Sequence, residues 1–282
     1  MKKARKYFEN KNVLITGGSS GIGFSIAQEL MQMEASVCLL ARNQEKLEEA
    51  KHKLQVLAVK PQQTVEILSA DVADTERLCE IIPAYLKDNP VPDVLINAAG
   101  VARPGYVEEL DLDIFKWTMD IDYHGTVTMT KLLLPHFLER GSGHIVNFSS
   151  LAGVLGVFGY TAYSGAKFAV RGFTDVLRAE MKPRGINVSI VYPPDTDTPQ
   201  LAWESQFKPY ETHIIANSDK PISAELVAHS VLKAVSRKKY AIVPGIDAKL
   251  TYLLGTTLGN LVYPIMDILV SSAIKKKKKA NK

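Results

Sequence analysis

The sequence predicts a doubly wound α/β fold, in which helices cover both faces of a seven-stranded parallel sheet. Short apolar runs rich in β-branched residues alternate with helical patterns along most of the chain. A glycine-rich turn joins the first apolar run to the first helical pattern. The chain has 282 residues, 46% hydrophobic and 23% charged, which is typical of a globular protein and excludes wholesale disorder.

Each apolar run predicts one strand of the sheet. The runs lie at 12–16, 36–40, 64–69, 93–97, 144–148, 186–192 and 240–243. Helical periodicity predicts helices at 21–33, 43–58, 74–87, 111–139, 161–181 and 223–236. Strands separated in this way pair in parallel through right-handed crossovers, and such sheets bind ligands at the carboxyl ends of their strands. Residues 193–221 show neither pattern, and a connection of that length is usually functional or disordered.

The formal net charge of +4 is the sum of segments that differ in the sign of their charge. Residues 1–6 carry four positive charges and residues 275–282 carry six, with no acidic residue in either segment. The body, 7–274, holds 24 basic and 30 acidic residues, so its net charge is −6. An acidic body does not form the broad basic face that binds nucleic acid, so we expect no nucleic-acid partner. Short basic termini are typically solvated tails, and contact with a membrane surface is the alternative.

Cysteine content and the N-terminus bear on the compartment. Cys38 and Cys79 are too few for a disulfide framework and favour a reducing environment. The basic N-terminus is followed by polar and aromatic residues rather than by an apolar run, so no signal peptide is visible. We therefore expect a cytoplasmic protein, peripheral to a membrane if its tail binds one.

The glycine-rich turn has the context of a dinucleotide-binding site, with a strand before it and a helix after it. Glycines permit a tight turn and close backbone approach, and the helix N-terminus offers free N–H groups to a pyrophosphate. The predicted cofactor-binding residues of this turn are Gly17, Ser19, Ser20, Gly21, Ile22 and Gly23.

The residue after the second strand predicts which dinucleotide binds. An NAD site would have Asp or Glu there to bond the ribose 2′-hydroxyl. This chain has Arg42, whose guanidinium pairs with a 2′-phosphate, whereas a carboxylate would repel one. The sequence therefore predicts NADPH as the cofactor, although a solvated cation at the start of a helix remains the alternative for Arg42.

A Tyr-x-x-x-Lys pair and a serine thirteen residues upstream predict carbonyl reduction. Tyr163 and Lys167 fall one turn apart on one helix face, and Ser150 follows a strand. A ketone that receives hydride at carbon needs a proton at oxygen, and a nearby ammonium lowers the pKa of a tyrosine toward working pH. Ser150 can hydrogen-bond the same oxygen. No metal is expected, because the histidines lack metal-ligand spacing.

With these motifs, the chain resembles the short-chain dehydrogenase/reductase family over residues 10–245. The resemblance implies a Rossmann-type domain in a homo-oligomer, with Asp71 and Val72 near the adenine. It also implies that Lys167 bonds the nicotinamide ribose. The residues that it implies line the cofactor after the fourth strand are Asn97, Ala98, Ala99 and Gly100.

The chain departs from the family pattern at its fourth catalytic position. Asp122 stands where the family usually has Asn, whose backbone carbonyl holds a relay water to the lysine. That backbone role could survive the change, but a carboxylate adds charge near Lys167. Asp122 is therefore predicted as a catalytic residue with a modified environment.

A second departure follows the sixth strand, where Pro-Gly is usual. This chain reads YPPDTDTP over residues 192–199, so the turn toward the nicotinamide must be built differently. Pro193, Thr196 and Thr198 are the residues there predicted to contact the cofactor. The segment resembles that of the 3-ketodihydrosphingosine reductases, which implies an NADPH-dependent reduction of a long-chain ketone.

Such a substrate is a long alkyl chain with an ammonium and a hydroxyl beside the ketone. We expect an apolar wall after Ser150 and an aromatic lid in the 193–221 connection, with core packing as the alternative for both. The wall would consist of Val154, Leu155, Val157 and Phe158, and the lid of Trp203, Phe207 and Tyr210. Glu204 or Glu211 could pair with the ammonium, although solvated surface positions are the expectation for both.

The tail, 246–282, belongs to no βα unit and follows the predicted catalytic domain, 1–245. Its apolar residues recur at helical spacing at Leu254, Leu258, Leu261, Ile265 and Ile268. Packing on the domain or a partner subunit, an interfacial helix and a membrane span are three interpretations. Glycines, Pro264 and Asp267 disfavour the span, and the following lysine run favours contact with an anionic membrane surface.

The function predicted from the sequence is NADPH-dependent reduction of a lipid-like ketone. A reductase of another lipid, steroid, retinoid or quinone is the alternative within the same chemistry. A dinucleotide-sensing protein without turnover is the alternative of another class, and the retained Tyr163–Lys167 pair disfavours it.

Overall fold

The fold is described from a computed structural model, which describes residues 1–216 and 221–280. Its main sheet is seven-stranded and parallel, in the order β3-β2-β1-β4-β5-β6-β9. These strands are β1 Asn12–Thr16, β2 Ser36–Ala41, β3 Val65–Ser69, β4 Val94–Asn97, β5 Gly143–Phe148, β6 Ile186–Val191 and β9 Ala241–Ile242. The doubly wound seven-stranded fold predicted from the sequence is confirmed.

Helices connect the strands and follow the last of them. In the first half of the chain they are α1 Lys2–Phe8, α2 Gly21–Gln32, α3 Gln44–Gln55, α4 Thr75–Asp88, α5 Leu112–Met119 and α6 Gly125–Arg140. In the second half they are α7 Thr161–Met181, α8 Pro199–Glu204, α9 Tyr210–Ala216, α10 Ala224–Val235, α11 Ile246–Thr257 and α12 Val262–Ala280.

The core consists of two apolar layers, one on each face of the sheet. Side chains alternate along β1, where Leu14 packs in one layer and Ile15 in the other. On β2, Leu39 and Leu40 divide in the same way, and all four are fully buried. Strands buried on both faces read as continuous apolar runs, which explains why the sequence located them so closely.

The helix predicted over 111–139 is interrupted by a π-helical turn, Asp120–His124, between α5 and α6. The extra residue in such a turn changes which side chains face inward, and Ile121 and Asp122 are buried there. π-Helical turns inside α-helices often occur at functional sites. Apolar periodicity continues through the turn, so the sequence showed one helix where the structure has two.

The basic N-terminus is not the solvated tail that is typical of such segments. Residues 2–8 form α1, and its Ala4 and Phe8 are buried against the core. Arg5 pairs with the carboxylate of Glu34. The charged side chains therefore occupy one face of a helix whose other face is packed.

The 193–221 connection contains secondary structure that the sequence did not predict. The two-residue strand β7 (Thr196–Asp197) pairs in parallel with the two-residue strand β8 (Ile222–Ser223), which directly follows the connection. Helices α8 and α9 lie between these two strands, so the described part of the connection is a small folded excursion from the main sheet.

The tail packs on the domain through one face only. Val262 and Ala273 of α12 are buried, and the Lys277 ammonium lies 3.2 Å from a Glu211 carboxylate oxygen and 2.7 Å from the Tyr106 hydroxyl. Much of the predicted apolar stripe faces outward, with Leu261 69% and Ile268 70% exposed. Among the described residues, no helix is both long enough and apolar enough to cross a bilayer.

Candidate active site

A cleft of about 750 Å³ opens at the carboxyl ends of the sheet strands. It is lined by most of the residues predicted for the site. These are Gly17, Ser19, Ser20, Gly21, Ile22, Gly23, Arg42, Asp71, Val72, Ala98, Ala99, Gly100, Ser150, Tyr163, Lys167, Pro193, Thr196 and Thr198. Asn97 and Asp122 were predicted with them but lie behind the cleft wall, since both are buried and neither lines it.

The glycine turn between β1 and α2 is shaped by close backbone contacts. Gly17 has φ +70°, and a Cβ there would lie 2.9 Å from the Ala99 Cα. A Cβ on Gly23 would lie 2.4 Å from the Gly17 carbonyl oxygen, so the first turn of α2 packs directly on the loop. Ser20, before α2, makes no side-chain cap, which leaves the first N–H groups of the helix, at the lining of the cleft, without a side-chain acceptor. This cradle fits the pyrophosphate of a dinucleotide.

Arg42 lies where the adenosine half of a dinucleotide would reach. Its Nη1 is 3.6 Å from Oδ2 of Asp71, and its side chain is 59% exposed. Lys46 lines the same end of the cleft from the first turn of α3. Sequence reasoning missed Lys46, although its position four residues after Arg42 was a usable signal.

Ser150, Tyr163 and Lys167 converge in the cleft. Ser149, next to Ser150, donates a 2.9 Å hydrogen bond to the Lys167 carbonyl, which ties the end of β5 to α7. A Cβ on Gly153 would lie 2.7 Å from the same carbonyl oxygen, so only glycine permits this approach. The Ser150 side chain hydrogen-bonds Tyr163, and the Lys167 ammonium is 5.4 Å from the centre of the Tyr163 ring.

Asp122 acts through its side chain as well as its backbone. Its Oδ2 lies 3.2 Å from the Lys167 ammonium, and both side chains are buried. Its Oδ1 accepts a 2.7 Å hydrogen bond from the Val101 N–H, and its carbonyl accepts one from Thr126. Burial raises the pKa of Asp122, and the Lys167 ammonium opposes that rise. The carboxylate therefore connects the β4–α5 loop with Lys167.

The environment of Tyr163 differs from the expectation that an ammonium lowers its pKa. Burial raises the pKa of Tyr163 well above its usual value, and the negative charges of Asp122 and Glu204 add to the rise. The hydrogen bond from Ser150 acts in the opposite direction. Tyr163 is thus held in its protonated form, which is the form that donates a proton to a carbonyl oxygen.

Asn97 lies beneath the cleft wall, in a network of buried polar side chains. It is 2% exposed, and its amide donates hydrogen bonds to Asn147 at 2.9 Å and to Thr130 at 3.3 Å. These bonds join β4, β5 and α6 beneath the cleft. Burying an amide requires such partners, and the motif alone did not reveal them.

The expectation that Glu204 and Glu211 are solvated surface residues is wrong, because they are only 7% and 4% exposed. Glu204 lines the cleft, and its Oε1 accepts a 3.0 Å hydrogen bond from the Tyr160 hydroxyl. Burial raises the pKa of Glu204 to about 7. Glu211 instead bonds Tyr106 and pairs with Lys277.

Only some of the residues predicted for the apolar wall and the aromatic lid line the cleft. Leu155 and Val157 line the cleft as expected, whereas Val154 is a buried core residue. Trp203 packs edge-on against Trp117 and is 42% exposed, and it does not line the cleft. The apolar cover is provided in part by Leu201 of α8 and by Met266 and Leu269 of the tail helix α12. Among the described residues, no group of His, Cys, Asp and Glu could hold a metal ion.

Comparison with known proteins agrees with this architecture. The family described as short chain dehydrogenase matches residues 11–208. The chain belongs to this family. A 3-dehydrosphinganine reductase from Danio rerio is 43% identical over 79% of this chain and 67% of that protein. A 3-ketodihydrosphingosine reductase from Dictyostelium discoideum is 37% identical over 93% of this chain and 83% of that protein.

Solved structures of the same fold extend the comparison. Levodione reductase superposes with a TM-score of 0.77 at 26% identity, covering 86% of this chain and 98% of that one. The chain is therefore an oxidoreductase of the short-chain dehydrogenase family, similar to 3-ketodihydrosphingosine reductases.

Proposed function

We propose that this chain reduces the C3 ketone of 3-ketosphinganine to the alcohol of sphinganine, with NADPH, in sphingolipid synthesis. The observation that carries the proposal is the convergence of Ser150, Tyr163 and Lys167 beside a dinucleotide cradle, in a cleft with an apolar far end. The similarity to relatives that bear the name of this activity supports the choice of substrate.

The chain's own residues have distinct roles in this reaction. The bound nicotinamide would supply the hydride. Tyr163 donates the proton to the carbonyl oxygen, and Ser150 hydrogen-bonds that oxygen and orients it. Lys167 bonds the cofactor ribose, and its buried pair with Asp122 fixes the ammonium in place. The apolar residues beyond Ser150 exclude water around the reacting carbon.

Arg42 and Lys46 support NADPH over NADH. Both line the adenosine end of the cleft, where a 2′-phosphate would add about two negative charges. The Asp71 carboxylate, 3.6 Å from the Arg42 guanidinium, partly neutralises Arg42. Lys46 is therefore needed as a second positive charge for the 2′-phosphate. Replacing Arg42 and Lys46 by glutamate should lower the preference for NADPH over NADH by tenfold or more. The same change at exposed Lys53 is the control, and a preserved preference in the double variant would refute this site.

The substitution Tyr163→Phe tests the mechanism. Cofactor binding, followed by fluorescence titration, should persist, while NADPH consumption with 3-ketosphinganine falls by several orders of magnitude. A panel of steroid and simple ketones measured beside it tests the substrate. Undiminished turnover in the variant would refute the role of Tyr163, and preference for a steroid would refute the sphingolipid assignment.

We further propose that the tail contacts an anionic membrane surface while the protein remains cytoplasmic. Exposed Leu261 lies between α11 and α12, and exposed Ile265 and Ile268 lie on α12, ahead of a lysine run. Each lysine near such a surface contributes about 1 kcal/mol of binding. Apolar burial and charge together suit an interfacial helix. The homo-oligomer implied by the family resemblance remains a prediction.

Vesicle flotation in full-length protein tests the membrane contact. Glutamate in place of Lys275, Lys276, Lys278 and Lys279 should abolish flotation with phosphatidylserine-containing vesicles. Lys277 is kept, since it pairs with Glu211. The control variant reverses the exposed Lys2, Lys3 and Lys6 of α1. Equal flotation of the tail variant and the wild type would rule the contact out.

A further inference from the structure

Glu204 is a buried carboxylate inside the candidate active-site cleft, and the proposed mechanism does not use it. It lies at the end of α8, and its side chain is 9% exposed. Tyr160 links it to the reacting centre. The Tyr160 hydroxyl donates to Oε1 of Glu204 at 3.0 Å, and the Tyr160 ring centre lies 5.8 Å from that of Tyr163.

The charges around Glu204 do not balance. Lys208 is the cation beside it, with Nζ 3.8 Å from Oε1 of Glu204 and 3.4 Å from Oδ2 of Asp195. One ammonium therefore serves two carboxylates, and both carboxylates line the cleft. Within the described part of the chain, the contacts of Glu204 fall on Oε1, and none reaches Oε2. When Glu204 is ionised, the cluster therefore carries one net negative charge, and Oε2 of Glu204 is left for a ligand in the cleft.

The position of this charge suits a particular substrate chemistry. In a 2-amino-3-ketone the amine is bonded to the carbon beside the carbonyl. When the carbonyl oxygen lies at the Tyr163 hydroxyl, a receptor for the amine has to lie within a few ångströms of it. Glu204 is placed for this role, because it lines the same cleft as Tyr163 and bonds the Tyr160 hydroxyl at 3.0 Å, while the Tyr160 ring centre lies 5.8 Å from that of Tyr163. Unpaired buried charge is unfavourable, so a cationic ligand stabilises the cluster.

We infer that Glu204 is a specificity residue, which binds the ammonium group of an α-amino ketone and selects it over neutral long-chain ketones. The inference rests on the proposed ketone reduction and names what distinguishes its substrate. Asp195 supplies the second negative charge of the subsite, and the Lys208 ammonium bridges the two carboxylates. Burial strengthens the charge-assisted bond between carboxylate and ammonium.

Glu211 is the matched residue that lacks this role. It is equally buried, but the Tyr106 hydroxyl and the Lys277 ammonium neutralise it, and it does not line the cleft. The structure therefore distinguishes Glu204 from Glu211, which the sequence analysis treated alike. The Glu211→Gln variant removes a buried carboxylate from the same excursion without touching the subsite.

The experiment compares kcat/KM for 3-ketosphinganine with kcat/KM for 1-hydroxyoctadecan-3-one, which lacks the amine. In Glu204→Gln we expect the ratio of kcat/KM for 3-ketosphinganine to kcat/KM for the amine-free ketone to fall by about tenfold or more. The fall should come from a higher KM for 3-ketosphinganine. Glu211→Gln should keep the wild-type ratio, and Glu204→Asp should keep most of it. A ratio that is unchanged in Glu204→Gln would overturn the inference.

Inhibition of the wild-type enzyme gives a second readout that needs no variant. Octylamine should inhibit with a Ki at least about tenfold below that of octanol, because it carries the charge that the subsite binds. Equal inhibition would overturn the inference even if Glu204→Gln fails to fold. Failure of the proposed function has a different signature, since neither long-chain ketone would then be reduced.

Discussion

Removing the carboxylate of Asp122 is the most direct perturbation of the buried pair under the active site. Asp122→Ala deletes both side-chain contacts, to the Lys167 ammonium at 3.2 Å and to the Val101 N–H at 2.7 Å. Asp122→Asn keeps an amide oxygen for Val101 and a neutral dipole for Lys167. The pair of variants therefore separates the charge of Asp122 from its hydrogen bonding.

The magnitude follows from the geometry of the pair. Two unit charges 3.2 Å apart attract by about 5 kcal/mol at an effective dielectric constant of about 20. Burying each ion costs several kcal/mol, so the intact pair contributes little net stability. Deleting one partner is different, because Lys167 then remains buried without a counter-charge. We expect Asp122→Ala to lower the free energy of unfolding by about 3–5 kcal/mol, and Asp122→Asn by only about 1–2 kcal/mol.

Thermal unfolding and a pH–rate profile measure the two effects. Without the negative charge near Tyr163, the pKa of that tyrosine should fall, and in Asp122→Asn the pH dependence of turnover should move to lower pH. Asp122→Ala should also weaken cofactor binding, because Lys167 loses its anchor. If Asp122→Asn proves as damaging to stability as Asp122→Ala, or if its pH profile coincides with that of the wild type, the reasoning is refuted.

Three other predictions concern packing and titration. Gly23→Ala should weaken cofactor binding about tenfold or more, since its Cβ would lie 2.4 Å from the Gly17 carbonyl oxygen. Gly172→Ala, in open space on α7, should instead stabilise slightly, and a cofactor titration with a melting curve tests both. Ala273→Asp should release α12 and speed proteolysis of the tail, whereas Asp at exposed Ser272 should not. The pKa of Glu204 rises on folding from 4.5 to about 7, so the folded state binds the extra proton and stability falls as pH rises through that interval. The free energy of unfolding of Glu204→Gln, relative to that of the wild type, should therefore rise from pH 5 to pH 8 by up to about 3 kcal/mol. Denaturant unfolding at the two pH values measures it, and a constant difference would contradict the buried carboxylate.

Much of the cofactor half could be predicted because its signals are local. Strands buried on both faces are continuous apolar runs, and the glycine turn is read from adjacent residues. The Tyr163–Lys167 spacing follows from one helical turn. The sequence did not predict the environment of Asp122. The π-helical turn that brings Asp122 to Lys167 leaves no break in the apolar pattern.

The substrate half was harder to predict, because burial of charge depends on distant partners. Glu204 and Glu211 are glutamates in a polar stretch, which usually indicates surface. They are buried because Tyr160 and Lys277 reach them from remote parts of the chain. Helix α1 was missed for a related reason: its basic residues outweighed Ala4 and Phe8, whose four-residue spacing marks the packed face.

The short β7–β8 pairing has a consequence for how selectivity can change. By joining Thr196–Asp197 to Ile222–Ser223, it closes a chain excursion at its base while the main sheet continues undisturbed. Glu204, Lys208 and Glu211 all belong to that excursion, whereas Tyr163 and the glycine turn do not. The residues proposed for hydride transfer and those proposed for substrate selection therefore lie in different segments of the chain. Thr196 and Thr198, which line the cofactor cleft, lie at the base of the excursion. We expect an exchange of the segment beyond them to change which ketone is reduced and to leave the glycine turn intact.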